Sequence, residues 1–331
     1  MPEPVGVLIM DYGSPTDANA IGAYYTHIRR GRRPSSEELS DLARRYEAIG
    51  GVSPLRDISR AQASGIQRGL DERAPGRYRV YQGSKHAPPF IEDTLGRMRT
   101  DGIERVVGLA LAPHYSRLSV GEYIERARQA AAGVMDLTFV ESWHLAEGYV
   151  SFLAAEVAEA LARLPEDVQP GTHVLFTAHS LPARVVEQGD PYPRQIRETA
   201  EAVADRIDLP RWSTAWQSAG ATQEPWLGPD VAVAIRELAD EDSIDAIIAC
   251  ACGFVSDHLE VLYDLDIEAR RVANEVGIPF DRTAMPNADP SFTATLAEVV
   301  LDADRHESRR AEPADPSTLR GPLPDGRRER S

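Results

Sequence analysis

Short apolar runs alternate with longer stretches in which apolar residues recur every three or four positions, from one end of the chain to the other. The runs at 5–11, 78–82, 106–112, 137–142, 173–178, 213–217 and 244–250 are strand candidates. Several are almost continuously apolar, as strands buried on both faces of a parallel sheet must be. Between them lie helical stripes. Val150, Leu153, Val157, Leu161 and Leu164 step by 3, 4, 4 and 3, and Ile196, Ala200, Val203 and Ile207 repeat the pattern. Asp289-Pro290 reads as a helix start, a capping carboxylate followed by a first-turn proline. The helix it opens carries Phe292, Leu296 and Val299 on one side. Strand alternating with helix predicts an α/β fold with right-handed crossovers.

A chain of 331 residues suits two domains of about 150 residues each. The expected division is an N-terminal domain at 1–145, a C-terminal domain at 146–303 and a tail at 304–331. That tail holds seven Arg, six acids, four Pro and only two large apolar residues. Such a composition cannot offset its own ordering entropy, so disorder is expected there.

Charge narrows the partners. Asp plus Glu is 52 against 36 for Lys plus Arg, a formal net charge of −16. A field of that sign repels nucleic acid and anionic membrane. Lys85 is the only lysine. Acidic excess with so little lysine suggests a salt-rich cytoplasm, although a high-GC genome would also favour arginine. Two cysteines, Cys250 and Cys252, are too few for a disulfide framework and point to a reducing compartment. No apolar stretch nears the ~18 residues of a membrane span, and no signal peptide precedes the first strand. The expectation is a cytoplasmic protein.

The common nucleotide and hydrolase signatures are missing: no G-x-G-x-x-G after a strand, no P-loop, no G-x-S-x-G and no H-E-x-x-H. In open α/β sheets the site lies beyond the carboxyl ends of strands. His179 sits there, directly after 173–178, where an imidazole can accept a proton or hold a metal; a core or capping histidine is the alternative. A second strand end leads through 253–258 into Glu260, Asp264 and Glu268, spaced i, i+4 and i+8 on one helix face. Like charges in line do not help a helix but do suit a divalent cation. A solvated acidic face remains open for Asp264 and Glu268. The run 24–33 packs four arginines into 29–33, which suits an anionic small molecule, or else pairs with neighbouring acids. Lys85-His86 and His114 also end strands. Cys250 and Cys252 share one strand face and read as small buried residues.

These segments together resemble the ferrochelatases, above all the short bacterial enzymes acting on coproporphyrin. The resemblance runs from about residue 5 to 301 and rests on Tyr-Tyr-Thr-His-Ile-Arg-Arg-Gly-Arg at 24–32, Arg-Tyr-Glu-Ala-Ile-Gly-Gly at 45–51, Ala-His-Ser-Leu-Pro at 178–182, Pro-Trp-Leu-Gly-Pro-Asp at 225–230 and Asp-His-Leu-Glu-Val-Leu-Tyr-Asp at 257–264. It implies two Rossmann-like, chelatase-like domains with parallel sheets and a porphyrin cleft between them. It implies that His179 and Glu260 bind Fe²⁺ and take up pyrrole protons, with Asp264 and Glu268 as an acidic ladder for metal or protons. Tyr12 then matches a tyrosine on the opposite face that can ligate haem iron. Arg29, Arg45, Tyr46, Ser53 and Tyr123 match porphyrin and propionate contacts. Coproporphyrin III is the expected substrate and protoporphyrin IX the alternative, with a non-catalytic porphyrin carrier as a different class. A cobalt or nickel chelatase fits these motifs less well. No cofactor beyond substrate Fe²⁺ is expected, nor an iron–sulfur cluster, and the expected state is a monomer. One departure is Ala219, where relatives often carry a charged residue.

Overall fold

The computed structural model describes residues 4–220 and 222–311. In the first half the chain runs through β1 (Val5–Asp11), α1 (Ile21–Ile28), α2 (Ser36–Ala48), α3 (Leu55–Arg73), β2 (Tyr78–Ser84), α4 (Ile91–Thr100), β3 (Arg105–Ala110), α5 (Val120–Ala131) and β4 (Asp136–Val140). The second half holds α6 (Glu147–Ala162), β5 (Thr172–His179), α7 (Arg184–Glu187), α8 (Tyr192–Arg206), β6 (Trp212–Gln217), α9 (Val231–Ala239) and β7 (Ala246–Cys250). It continues with α10 (Leu259–Tyr263), a π-helical segment (Asp264–Ala269), α11 (Arg270–Val276), β8 (Phe280–Arg282) and α12 (Pro290–Ala311).

Two four-stranded sheets result, in the orders β2-β1-β3-β4 and β6-β5-β7-β8. Every pairing is parallel, and β1 is buried along its whole length, as its unbroken apolar run requires. In each sheet the chain reverses direction of winding at the first strand of its half. Crevices therefore open at the carboxyl ends of β1 and β5, the switch points where such sheets bind ligands. Sequence periodicity located seven strands. It passed over β8, which has three residues and only one apolar side chain, Phe280.

The start of the tail at 304 needs correction. The helix that Asp289 caps, accepting from Ser291 N (2.8 Å) and Phe292 N (3.2 Å), does not stop at 303 but continues to Ala311. Asp304 is the reason. It is 1% exposed and accepts from Arg77 and Arg105 at 2.7 Å and from the Tyr78 hydroxyl at 2.8 Å. Tail composition averages such a residue away. Residues 312–331 lie outside the described residues. α12 also packs on α3 of the first half: a Cβ on Gly65 would meet Thr293 at 2.7 Å, and one on Gly69 would meet Ala297 at 2.9 Å. The last helix thus returns to the first half, and one buried cluster joins Ile9, Ile66 and Val107 to Val157, Phe176 and Leu296. Among the described residues no helix is long and apolar enough to cross a membrane.

Candidate active site

His179 is the last residue of β5, and its imidazole Nδ1 lies 2.9 Å from Glu260 Oε2. The carboxylate can only accept, so Nδ1–H donates and the other ring nitrogen carries the lone pair. Two local features bring this pair together. Gly253, in the turn after β7, approaches β5 so closely that a Cβ there would lie 2.7 Å from Ala178 Cα. Gln217, at the end of β6, donates to the Glu260 carbonyl at 2.8 Å and ties α10 to the same sheet. Burial opposes charging of His179, but the Glu260 carboxylate outweighs it and raises the imidazole above its ordinary value. Burial likewise opposes charging of Glu260, and His179, with His258 behind it, holds that carboxyl well below the usual range. His258 completes the group: its Nδ1–H donates to Ser256 O (3.0 Å), and its Nε2 stands 3.8 Å from Glu260.

The acidic line continues outward through Asp264, which accepts from the Ser218 hydroxyl. Burial, then the charge of Glu260, pushes the Asp264 carboxyl up to about 7. Between Glu260 and Glu268 the backbone changes from α to π at Asp264. In an α-helix a four-residue step overshoots a full turn by about 40°. A π turn holds more than four residues, so the next step falls short and cancels the drift. The three carboxylates therefore stay aligned better than a plain α-helix allows. Nothing in the sequence periodicity announces that segment. Arg45 flanks the line: it pairs with Asp41 at 3.0 Å and lies 5.1 Å over the Tyr263 ring. Burial of its guanidinium is outweighed by Asp41, Glu268 and Asp264, so its pKa is raised.

Facing His179 and Glu260 across a cavity of about 410 Å³ stand residues of the first half. Tyr12 follows β1, is 40% exposed and packs its ring 4.6 Å from that of His86. Burial, then the charges of Glu260 and Glu122, raises its phenol, so it is neutral. Lys85 is buried beside Tyr123, 5.3 Å over its ring, and pairs with Glu122, which also holds Arg30 at 3.1 Å. Burial lowers the Lys85 pKa even so. The cavity joins the carboxyl ends of β1, β3, β5 and β7, where the topology places a site.

Tyr12, Tyr123, His179 and Glu260 line this cavity. Arg29, Arg45, Tyr46, Ser53, Asp264 and Glu268 do not. Arg29 is paired with Glu38 at 2.5 Å, Ser53 accepts from Leu55 N at the start of α3, and Tyr46 is buried in α2, its phenol raised by burial and Glu260. Sequence reading missed His258 and Tyr192, although His258 stands inside a quoted motif. The Tyr192 hydroxyl donates to the His179 carbonyl at 3.1 Å. Lys85 and His86 line the cavity too, although no sequence pattern around them marks it. Among the described residues no three His, Cys, Asp or Glu side chains converge to hold an ion. His179 and Glu260 alone make a two-donor site that needs further donors from a ligand. Cys250 and Cys252 are buried and apart from it; burial pushes the Cys250 thiol up to about 12 and that of Cys252 upward too.

Known proteins can now be set beside this geometry. Among solved structures, SirB from Bacillus subtilis with Fe³⁺ superposes with a TM-score of 0.58 at 12% identity, covering 93% of this chain and 98% of that one. CbiX, a terminal enzyme of sirohaem biosynthesis, gives 0.53 at 15%, covering 90% and 99%. At these identities the likeness shows the chelatase-like fold alone. Sequence goes further. The coproporphyrin III ferrochelatase of Anoxybacillus flavithermus is 45% identical over 306 residues, 92% of this chain and 97% of its own. That of Bacillus subtilis is 44% identical over 300 residues, 90% and 97%. The ferrochelatase family model matches residues 4–304, which takes in both sheets, the cavity and the buried Asp304, and so the chain belongs to the ferrochelatase family.

Proposed function

We propose that this enzyme inserts Fe²⁺ into coproporphyrin III, with His179 as the base and Glu260 as its partner and co-ligand. The observation that carries the reading is the 2.9 Å contact between them on one wall of a cleft whose other wall is Tyr12. Insertion replaces two pyrrole N–H bonds by Fe–N bonds and releases two protons. A neutral imidazole offers a lone pair for a proton, and imidazole with carboxylate makes a borderline donor set for Fe²⁺. A two-donor site can release the ion to the four ring nitrogens, whereas a closed cage would retain it. Asp264, with a carboxyl near neutrality, can exchange a proton between Glu260 and the Glu268 end of the line.

The name borne by the close relatives supports coproporphyrin III over protoporphyrin IX. So does the rim. Arg29 and Arg45 stand in half-buried ion pairs with Glu38 and Asp41, with which a substrate carboxylate can exchange. Tyr46, Ser53 and Tyr123 then offer hydroxyls to the propionates. We further propose that the reaction needs no prosthetic group, since the only two thiols are buried and held protonated, and that the enzyme works as a cytoplasmic monomer. The test is anaerobic metal insertion at molar KCl, offering Fe²⁺ with either porphyrin to the wild type and to His179→Ala. Coprohaem formation that drops by about 10² to 10⁴ in the variant is expected. Preference for protoporphyrin overturns the substrate. Porphyrin binding without turnover by the wild type overturns the enzyme in favour of a carrier.

A further inference from the structure

Gln62 lies on α3 of the first half, fully buried and far in sequence from His179 and Glu260. Its Nε2 faces three oxygens of the second half: Asn287 O at 2.8 Å, Val255 O at 3.1 Å and Ser256 Oγ at 3.1 Å. Two of these are carbonyls and can only accept, which fixes the orientation of the amide. Its two hydrogens are shared among three acceptors belonging to the turn that follows β7 and the turn that precedes α12.

That contact continues directly into the site. The Ser256 carbonyl holds the His258 ring, and His258 stands beside Glu260. Asn287 N donates back to Val255 O at 3.0 Å, and its side chain clasps Asp257 at both the backbone N–H (2.8 Å) and the carboxylate (2.7 Å). Arg282 then joins Asp257 (3.0 Å) to Asp266 (2.7 and 3.0 Å), which lies between Asp264 and Glu268. One hydrogen-bonded chain therefore runs from α3 to His258, Asp257 and Asp266, on the two segments that carry Glu260, Asp264 and Glu268.

We propose that Gln62 is a positioning residue for metal handling: it fixes the segment 255–260 against the first half and thereby sets Glu260 and His258 relative to His179 and the opposite wall. It touches neither metal nor porphyrin. The orientation of metal donors by the groups behind them is worth about 10- to 100-fold in affinity or activity. Its amide is specific to the task, because a carboxylate of the same shape would face three oxygens and a hydrocarbon would take this donor from the Asn287 carbonyl and the Ser256 hydroxyl.

The kinetic part of the test rests on the metal-insertion reading; a binding measurement does not. Gln62→Met, Gln62→Glu and Ser256→Ala are compared in the full chain, each with its folded fraction measured by thermal unfolding. Gln62→Met is expected to raise the Fe²⁺ KM and the Zn²⁺ dissociation constant, read by calorimetry, about tenfold or more, with the porphyrin KM held within about threefold. Gln62→Glu is expected to be the worse variant at about pH 8 and to recover part of its loss relative to wild type near pH 6, where a protonated carboxyl can donate again. Wild-type Zn²⁺ affinity in Gln62→Met, or equal losses for both substrates, overturns the proposal. Should Gln62→Met not fold, the same KM split in Ser256→Ala decides. A wild type that turns over no porphyrin overturns the reading above, and the Zn²⁺ affinities still decide this one.

Discussion

His179 Nδ1 and Glu260 Oε2 meet at 2.9 Å across 81 residues of sequence, one at the end of a strand and the other in the first turn of a short helix. Each shifts the other in the direction that keeps both charged, against the burial that opposes it. In such a pair the carboxylate sets how tightly the imidazole holds a proton, and the imidazole gives that proton up as pH rises.

Glu260→Gln should therefore move the acid limb of kcat/KM. Without the carboxylate the main influence raising the imidazole is gone, and burial lowers its pKa against the weaker pull of Asp264. The limb is expected to shift to lower pH while the plateau drops about 10²-fold. Stability follows a matching window. The raised His179 contributes below its unfolded value of 6.5 and loses that as pH rises through its folded value. The lowered Glu260 contributes above 4.5 and loses it as pH falls. The Tm deficit of the variant should then be largest between about pH 4.5 and 6.5 and fade as pH rises through the folded value of His179. An unmoved limb would show that another group is the base.

Asp264→Asn should stabilise the fold in alkali. A carboxyl raised from 3.8 to about 7 binds its proton more tightly when folded, so its contribution is present below 3.8 and is lost as pH climbs to about 7. Asparagine removes that dependence and keeps an amide for the Ser218 hydroxyl. Discounted for its partial access to water, the gain is about 1–2 kcal/mol at pH 8 and near zero at pH 4. Thermal unfolding at the two pH values checks it. Iron turnover should fall in the same variant, which would show stability given up for function.

Asp304→Ala should cost about 2–3 kcal/mol, less than a fully buried pair, because Arg77 and Arg105 can turn back to water while the Tyr78 hydroxyl loses its acceptor. The lesion lies at the far end of the first sheet from the cavity. Activity per folded molecule should stay unchanged while Tm falls, as a thermal melt beside a turnover assay would show.

Asp304 also marks where sequence reading stops. Periodicity revealed the strands because their interiors are apolar without a break, and the crossover logic placed His179 at a crevice. It gave no sign of a carboxylate paired with two arginines from other elements, since those partners lie about two hundred residues away. The π segment at Asp264 was invisible for a related reason. An α and a π turn want the same residue types, and only the packing of the turn decides between them. His179 was legible because it directly follows a strand at a crevice, and Glu260 because it opens a line of carboxylates spaced by four. Gln62 was not, being one amide in an ordinary amphipathic helix.

Salt should stabilise this protein. The excess of 52 acids over 36 bases leaves a net repulsion spread over the whole surface. Raising KCl from about 0.1 to 1 M shortens the screening length from about 10 to 3 Å, which quenches repulsion between distant acids. The same salt weakens surface pairs such as Arg194–Glu198 and Arg197–Glu201, but each is worth only about 0–1 kcal/mol and sits within about 4 Å, inside the residual screening length or close to it. The long-range term therefore decides the sign, and Tm is expected to climb steadily with KCl. Sucrose at matched osmolality separates screening from solvent exclusion, since an uncharged osmolyte leaves the repulsion intact. A Tm that stays flat or falls in KCl would mean that this net charge does not limit the stability of the fold, and that the missing lysines reflect codon bias.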